Sequence, residues 1–426
     1  MQALEEAAIE NPERVAGLEP WQQVLFFLAA CAILVTRRWD ALSHAQFYAE
    51  DGRVFFADAY NRGWFRPVFD SYVSYLHFFP RICSGLALLL PFSRVPLFFS
   101  SISLVCSALT ANIILSSRSD GWGPLRMRAL LAAALVALPN CREVSWGLAE
   151  TNFWLAIIAV LLLIAQPPRS GLGKTIGLVF FTIFGLTGPF CIFLLPFAVY
   201  QSWRNRSWYG WLSLTVLTVT SLVQAWAMLI LDPKGRGLQT LAATPVTFLR
   251  LIGGQVVLGA LVGSNILAKL KSPTAEVVLS CFALGGIGLM LYCFRRASTP
   301  MRIFLLYTAI LLAACLISPL EMDRPKLAVW EGLATVPGQR YWFFPTMAFV
   351  WSLVWLAWNG RGAVRTTSRL LLAFMLMVGV VRDWEIPKLY ESHFAQSVEQ
   401  FNAAAPGTVL TLPEGCPGWT MRIVKH

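Results

Sequence analysis

Long apolar runs alternate with short polar connections along almost the whole chain. The first is "WQQVLFFLAACAILVT" at residues 21–36. A helix needs about 17–25 predominantly apolar residues to cross the hydrocarbon core. The pattern predicts eleven membrane-spanning helices, at about 20–36, 95–116, 126–140, 152–165, 175–188, 189–203, 208–231, 275–294, 303–319, 341–358 and 369–384. The first run has no basic leader and no small-residue exit, so it reads as a retained span rather than a cleaved signal. Two more apolar stretches read differently. Residues 77–91, "HFFPRICSGLALLLP", read as an interfacial or half-buried helix on the outer face. Residues 246–268 are Gly-rich and carry Arg250, and they read as a re-entrant or surface helix. Counting either as a crossing turns every later connection to the other side.

Composition agrees with this reading. Of 426 residues, 57% are hydrophobic and 13% charged, with mean hydropathy +0.60, against about 25% charged in soluble domains. The net charge of +11 does not call for nucleic acid, because the basic residues sit in short loops between spans. With the N-terminus cytoplasmic, those loops hold thirteen of them, from Arg118 to Arg369, against one acid, Asp120. Cytoplasmic loops are enriched in Lys and Arg, so the active face is extracytoplasmic. The acidic leader (Glu5, Glu6, Glu10, Glu13, Glu19) and the pair Arg37–Arg38 after the first span run against this bias. Most of the nine cysteines lie within apolar runs, and neither they nor the four histidines have metal-ligand spacing. "GLGKT" at 171–175 imitates a phosphate loop, but Pro168 stands where that motif needs its first glycine.

The expected organisation is an all-α integral membrane domain over 1–384 and a small extracytoplasmic tail over 385–426. Outer-face pieces fall at 37–94, 232–274, 320–340 and the tail. In the tail, "GTVLTLPEGCPGWTMRIV" has two alternating segments around a Pro/Gly turn and predicts a hairpin.

Chemistry concentrates at the outer face. Glu50 and Asp51 open the long first loop within "FYAEDGRVFFADAYNRGW". As a single amphipathic helix, residues 47–62 place Asp51, Asp58 and Arg62 on one face. The alternative is a solvated face neutralised by Arg53, Arg62 and Arg66. In "PNCREVSWGLAETNFW" (139–154), Glu143, Glu150 and Asn152 sit near membrane depth, where polar groups are costly. The alternative is capping of the next helix by Thr151 or Asn152. In "GLATVPGQRYWFFP" (332–345), Arg340 stands at the mouth of a span, followed by Tyr341. A guanidinium there can clamp a phosphate or simply anchor the helix at the interface. Arg81 and His77, in "HFFPR", have a similar position.

These pieces, in this order, resemble the GT-C superfamily of integral-membrane glycosyltransferases. "EDGRVFFADAYNRGWFRPVF" resembles the acidic opening of the first outer loop in aminoarabinose and mannose transferases of that superfamily. "YLHFFPRICSGLALLLPFSRVPLFFSSISLVCSAL" is similar to their passage into the second span. "CREVSWGLAETNFW" is similar to their outer turn before the fourth span, and "GQRYWFFP" to an Arg/Tyr element at a late span. The resemblance is one of pattern over about two-thirds of the chain, and Glu-Asp stands where Asp-Glu is commoner. It implies a polyprenyl-phosphate sugar donor, a lipid-linked saccharide or glycolipid acceptor, and an inverting transfer at the outer face of a bacterial inner membrane. A carboxylate acts as base, and Arg340 and Arg81 are candidates to meet the phosphate. Local geometry favours Asp51 as base and motif alignment favours Glu50. The acids permit a divalent metal and nothing demands one. Two other functions share these features: a transporter or flippase for a lipid-linked saccharide, and a non-catalytic subunit of a polysaccharide assembly complex. The first is disfavoured because there is no internal repeat and the mid-span segments carry almost no charge.

Overall fold

Pro20 at the first helical turn, and reciprocal bonding between Glu19 and Gln22, start helix α1 (Pro20–Arg37). The computed structural model describes residues 18–145, 147–232, 241, 243–264, 273–319, 328–336 and 338–426. The acidic residues of the leader before Glu19, and most of the expected outer loop at 320–340, lie outside the described residues.

α1 ends on Arg37, which is 6% exposed. Its guanidinium donates to the carbonyls of Val136 (2.6 Å), Leu138 (3.0 Å) and Asp383 (3.2 Å). Arg38 donates to the Ser145 carbonyl and pairs with Asp40 at 3.8 Å. The two arginines that ran against the charge bias are therefore built into helix ends. They satisfy carbonyls that a helix terminus leaves open.

The long first loop carries α2 (Ala57–Arg62), a two-stranded hairpin of β1 (Ser71–Tyr72) and β2 (Tyr75–Leu76), and α3 (Phe78–Ala87). Ten residues reach about 15 Å, so α3 does not cross a bilayer. The helices that follow are α4 (Val95–Leu115), α5 (Leu125–Val136), α6 (Thr151–Ile164), α7 (Gly171–Gly185), α8 (Phe190–Asn205) and α9 (Trp208–Trp226). Then come α10 (Pro245–Arg250), continued through a π-helical stretch into α11 (Gly259–Val262), and α12 (Pro273–Arg296). The last membrane-side helices are α13 (Thr299–Ile317), α14 (Val329–Thr335), α15 (Phe343–Asn359) and α16 (Gly362–Phe374). α15 is buried along most of its length and is the hub of the main core, where Trp351 packs on Trp122 and Phe304.

Among the described residues, eight helical runs are long and apolar enough to cross a membrane. Seven coincide with expected spans. The other four expected spans form shorter helices: α5 has 12 residues, α6 14, α7 15 and α8 16. The eighth run is Pro245–Val262, which the sequence reading kept out of the count. Its surroundings bear on that choice. Leu241, just before it, accepts from the Trp330 N–H. Gln255 donates to the carbonyls of Leu333 and Ala334, and its own carbonyl accepts from Asn140. Ser264, just after it, donates to Asp383.

The tail does not stand apart from the first loop. α17 (Phe394–Ala403) and the predicted hairpin, β3 (Val409–Pro413) with β4 (Thr420–Val424), fold onto residues 47–99. Phe47, Phe56, Phe92 and Phe99 from the loop region share one core with Phe401, Leu412, Met421 and Ile423 from the tail. Phe92 and Phe401 stack at 4.3 Å. Backbone bonds join the pieces: Gly415 N–H to Phe47 O, Val424 N–H to Asn61 Oδ1, and Ile386 N–H to Arg37 O. Loop and tail therefore share one face, called the tail face below.

This contact gives a checkable expectation. Arg66, Ala395 and Ser117 are exposed. In a cysteine-free background, Arg66→Cys and Ala395→Cys should label together with an impermeant thiol reagent on intact cells, and Ser117→Cys only after lysis. Opposite behaviour of the first two would break the shared-face arrangement.

Candidate active site

Ala49 has φ 47° and Val73 φ 51°. A β-branched residue with positive φ is an outlier, and such strain persists only where the surroundings impose it. Val73 and Ser74 form the two-residue turn of the β1–β2 hairpin, and the Ser74 N–H is held by Asp232 at 2.9 Å. The strand edge beyond it is pinned by Gln224, by Thr187 and by the Gly188 N–H. Ala49 turns the chain just before the acidic pair. Val73 and Glu50, the residue after Ala49, stand in the wall of a cavity of about 130 Å³ on the tail face.

The expected single amphipathic helix over 47–62 does not form. Residues Asp51–Phe56 are π-helical and run into α2. The i→i+5 pattern shifts the register, so Asp51, Asp58 and Arg62 find separate partners. Asp51 is 3% exposed and points away from the cavity, accepting from the Leu148 and Ala149 N–H groups at 2.8 Å each. Asp58 pairs with Arg81 at 2.9 Å. Arg62 pairs with Asp70. Adjacent Glu50 and Asp51 thus diverge. Glu50 is half-buried, lines the cavity, and its carboxylate meets no hydrogen-bond or ion-pair partner among the described residues.

His77, Glu150, Asn152, Arg340 and Tyr341 line the same cavity, and Tyr72 and Tyr75 complete its polar wall. Arg340 is firmly held. Its backbone N–H donates to one Glu143 oxygen at 2.7 Å, and its Nη1 donates to the other at 2.8 Å and to Glu150 at 3.5 Å. The guanidinium also lies over the Tyr341 ring at 5.6 Å. α6 begins at Thr151 with Glu150 in the cap position but without a side-chain cap bond. The capping alternative therefore does not describe Asn152, which lies inside the helix, 5% exposed, with Oδ1 unpartnered among the described residues.

Arg81 is not part of this wall. It is 3% exposed, neutralised by Asp58, and packed over Phe55. Asp58 and Arg81 therefore form a structural ion pair behind the site, not a phosphate clamp within it.

Burial dominates the electrostatics. It pushes Asp51 up to about 7, against its two N–H donors, and Glu50 adds to the rise. Burial likewise raises Glu150 well above the usual carboxylate range; Arg340 opposes this, and Glu143, Glu50 and Asp51 add to it. His77 is pulled down to about 3 by burial and by the Arg81 charge, so its ring is neutral. The Tyr72 backbone partly opposes this from outside hydrogen-bond geometry. A neutral imidazole with both nitrogens unpartnered suits a hydroxyl better than a phosphate.

Two further acids bear on the site: Glu143, which the sequence places near membrane depth, and Glu414, which the sequence does not single out. Glu143 orients Arg340. Glu414, in the turn between β3 and β4, is 1% exposed, and both its oxygens lack a partner among the described residues. It lies so close to Gly52 that a Cβ there would come within 2.6 Å of Oε1. No set of three or more His, Cys, Asp or Glu among the described residues is arranged to hold a metal ion. The chain matches no protein-family model and no curated protein.

Proposed function

We propose that the protein is a GT-C-type glycosyltransferase of a bacterial inner membrane. It moves a sugar from a polyprenyl-phosphate donor to a lipid-linked saccharide or glycolipid at the tail face, which faces the extracytoplasm. The observation that carries this reading is one cavity walled by a carboxylate, Glu50, and an anchored guanidinium, Arg340, where Glu50, the His77 ring nitrogens and Asn152 Oδ1 have no partner among the described residues. That combination fits a hydroxyl-rich ligand joined to an anion.

In the proposed step, the acceptor hydroxyl attacks the anomeric carbon as its proton passes to Glu50. The bond from that carbon to the phosphate oxygen breaks, and polyprenyl phosphate leaves with both electrons. One displacement inverts the centre. General-base help of this kind is typically worth about 10²–10⁴-fold. Arg340 meets the charge gathering on the phosphate. Glu143 orients Arg340 by accepting from its backbone N–H and its Nη1. His77 and Asn152 bind sugar hydroxyls.

The eleven-span arrangement belongs to this proposal. It is supported by the succession of helix ends. Gln166 after α6, Asn205 ending α8 and Thr299 opening α13 meet Arg118 at one cavity, while Glu50, Asn152 and Cys315 meet at the other. The bonds of Leu241, Gln255 and Ser264 support a Pro245–Val262 run that begins and ends on the tail face, with no net crossing.

Purified protein incubated with synthetic polyprenyl-phosphate sugars and membrane lipid extract should release polyprenyl phosphate and form a new glycolipid. Movement of intact lipid-linked saccharide between leaflets without release would select the transporter reading instead. Within that assay, Arg340→Lys keeps the charge but loses the planar fork that Glu143 and a phosphate can share. It should lower turnover by about 10²-fold, the scale of losing one charge-stabilising donor. Near-parental turnover in Arg340→Ala would assign the residue to anchoring.

A further inference from the structure

A second cavity lies away from the proposed reaction site. It measures about 700 Å³ and lies at the opposite ends of the helices, among the turn after α4, the ends of α6 and α8, and the start of α13. We propose that this cavity binds a phosphate group, with the headgroup of an anionic membrane phospholipid as the source that fits its place between helix ends.

Three observations carry this, with one general rule beside them. First, Arg118 and Arg204 both line the cavity, against one acid, Asp120. That acid already accepts from Gln166 at 2.7 Å. Arg118 commits Nε to the Gln166 carbonyl at 2.7 Å, which fixes its fork at the rim. Second, Trp122 lines the cavity, is 2% exposed, and its indole N–H meets no partner among the described residues. An indole nitrogen can only donate, and a buried donor left open calls for an acceptor. Third, Ser298 stands in the N-cap position of the 19-residue α13, makes no side-chain cap bond, and its hydroxyl is buried and unpartnered. Thr299 and Pro300, the first residues of that helix, line the same cavity, so its positive dipole end adjoins the space and favours an anion there. The rule is that basic pockets between helix ends at a membrane surface are where lipid headgroups bind. Among the charged side chains of the lining, two guanidiniums face one carboxylate, so the cavity favours an anion.

The proposal does not depend on the glycosyltransferase reading. Full-length protein in detergent is titrated with phosphatidylglycerol and with phosphatidylcholine, and retained lipid is counted by native mass spectrometry. The parent should retain one phosphatidylglycerol at concentrations where phosphatidylcholine is lost. Arg204→Glu, at an exposed position, should weaken phosphatidylglycerol retention by about tenfold or more and leave phosphatidylcholine unchanged. Trp122→Phe, which keeps the ring stack and removes the N–H, should weaken it in the same direction. Competition by inorganic phosphate would assign the donors to phosphate in general; its absence would assign them to the lipid. No preference for the anionic lipid in the parent, or parental retention in both Arg204→Glu and an Arg118→Gln/Arg204→Glu double variant, would overturn the proposal.

Discussion

Glu50→Gln is expected to lower sugar transfer by about 10²-fold or more, in protein that still folds and inserts. The expectation rests on where the side chain is. Glu50 faces the cavity, half-buried, with no hydrogen-bond or ion-pair partner for its carboxylate among the described residues. The amide keeps its shape, breaks no contact, and removes the basicity. Binding of the donor should change little, so the loss should appear in kcat. Asp51→Asn should fail differently. Both Asp51 oxygens accept backbone N–H groups from the 148–149 turn, and an amide NH₂ would face one of those donors. A buried donor left unsatisfied costs about 1–3 kcal/mol, so this variant should lose stability and the docking of that turn before it loses a chemical group. The outcome that would reverse the assignment is parental turnover in Glu50→Gln together with a folded but inactive Asp51→Asn.

The sequence could not separate these two acids, and the reason is local. Reading residues 47–62 as one regular helix put Asp51, Asp58 and Arg62 on a common strip. One π-helical stretch and a positive-φ Ala49 undo that strip, and neither leaves a signature in hydropathy. The long apolar runs were legible because the bilayer imposes length and composition together. Of the helices that fall short, α5 and α6 are largely buried against neighbours, whereas α7 leaves most of its length exposed or half-buried. Gathering Glu50, His77, Glu150, Asn152, Arg340 and Tyr341 at one cavity was legible as a shared face, though not as contacts. Arg81 was misplaced because its partner, Asp58, lies 23 residues away on another helix. The tail hairpin was legible from its alternation and its turn. Its return to the first loop was not, since the contacts that hold it, such as Gly415 to Phe47, join residues more than 300 positions apart.

That return brings Glu414 beside the acidic pair, and Glu414→Gln is expected to tighten the docked tail at neutral and alkaline pH. The carboxyl is 1% exposed and finds no partner for either oxygen among the described residues. Burial first, then the charges of Asp51 and Glu50, lift it from 4.5 to about 9, with Arg53 in partial opposition. Arg53 is itself committed to the Trp419 ring at 5.0 Å. The folded group holds its proton more tightly than the undocked group. Its contribution to docking is therefore complete below about 4.5 and is lost steadily as pH rises toward 9, where the loss levels off. Each unit between those limits weakens docking by about 1.4 kcal/mol, which gives about 3 kcal/mol at pH 7. Glutamine carries no proton to lose, so the variant should slope less than the parent, with Asp51, itself raised to about 7, still titrating in the window. Hydrogen exchange of the Leu412 and Met421 amides, in the hairpin that carries Glu414, reads docking directly. Parent and variant should agree near pH 4.5 and diverge progressively up to pH 9. Parallel profiles across that window would mean that Glu414 is solvated in solution, and that the tail closes over Glu50 and Asp51 without burying an acid.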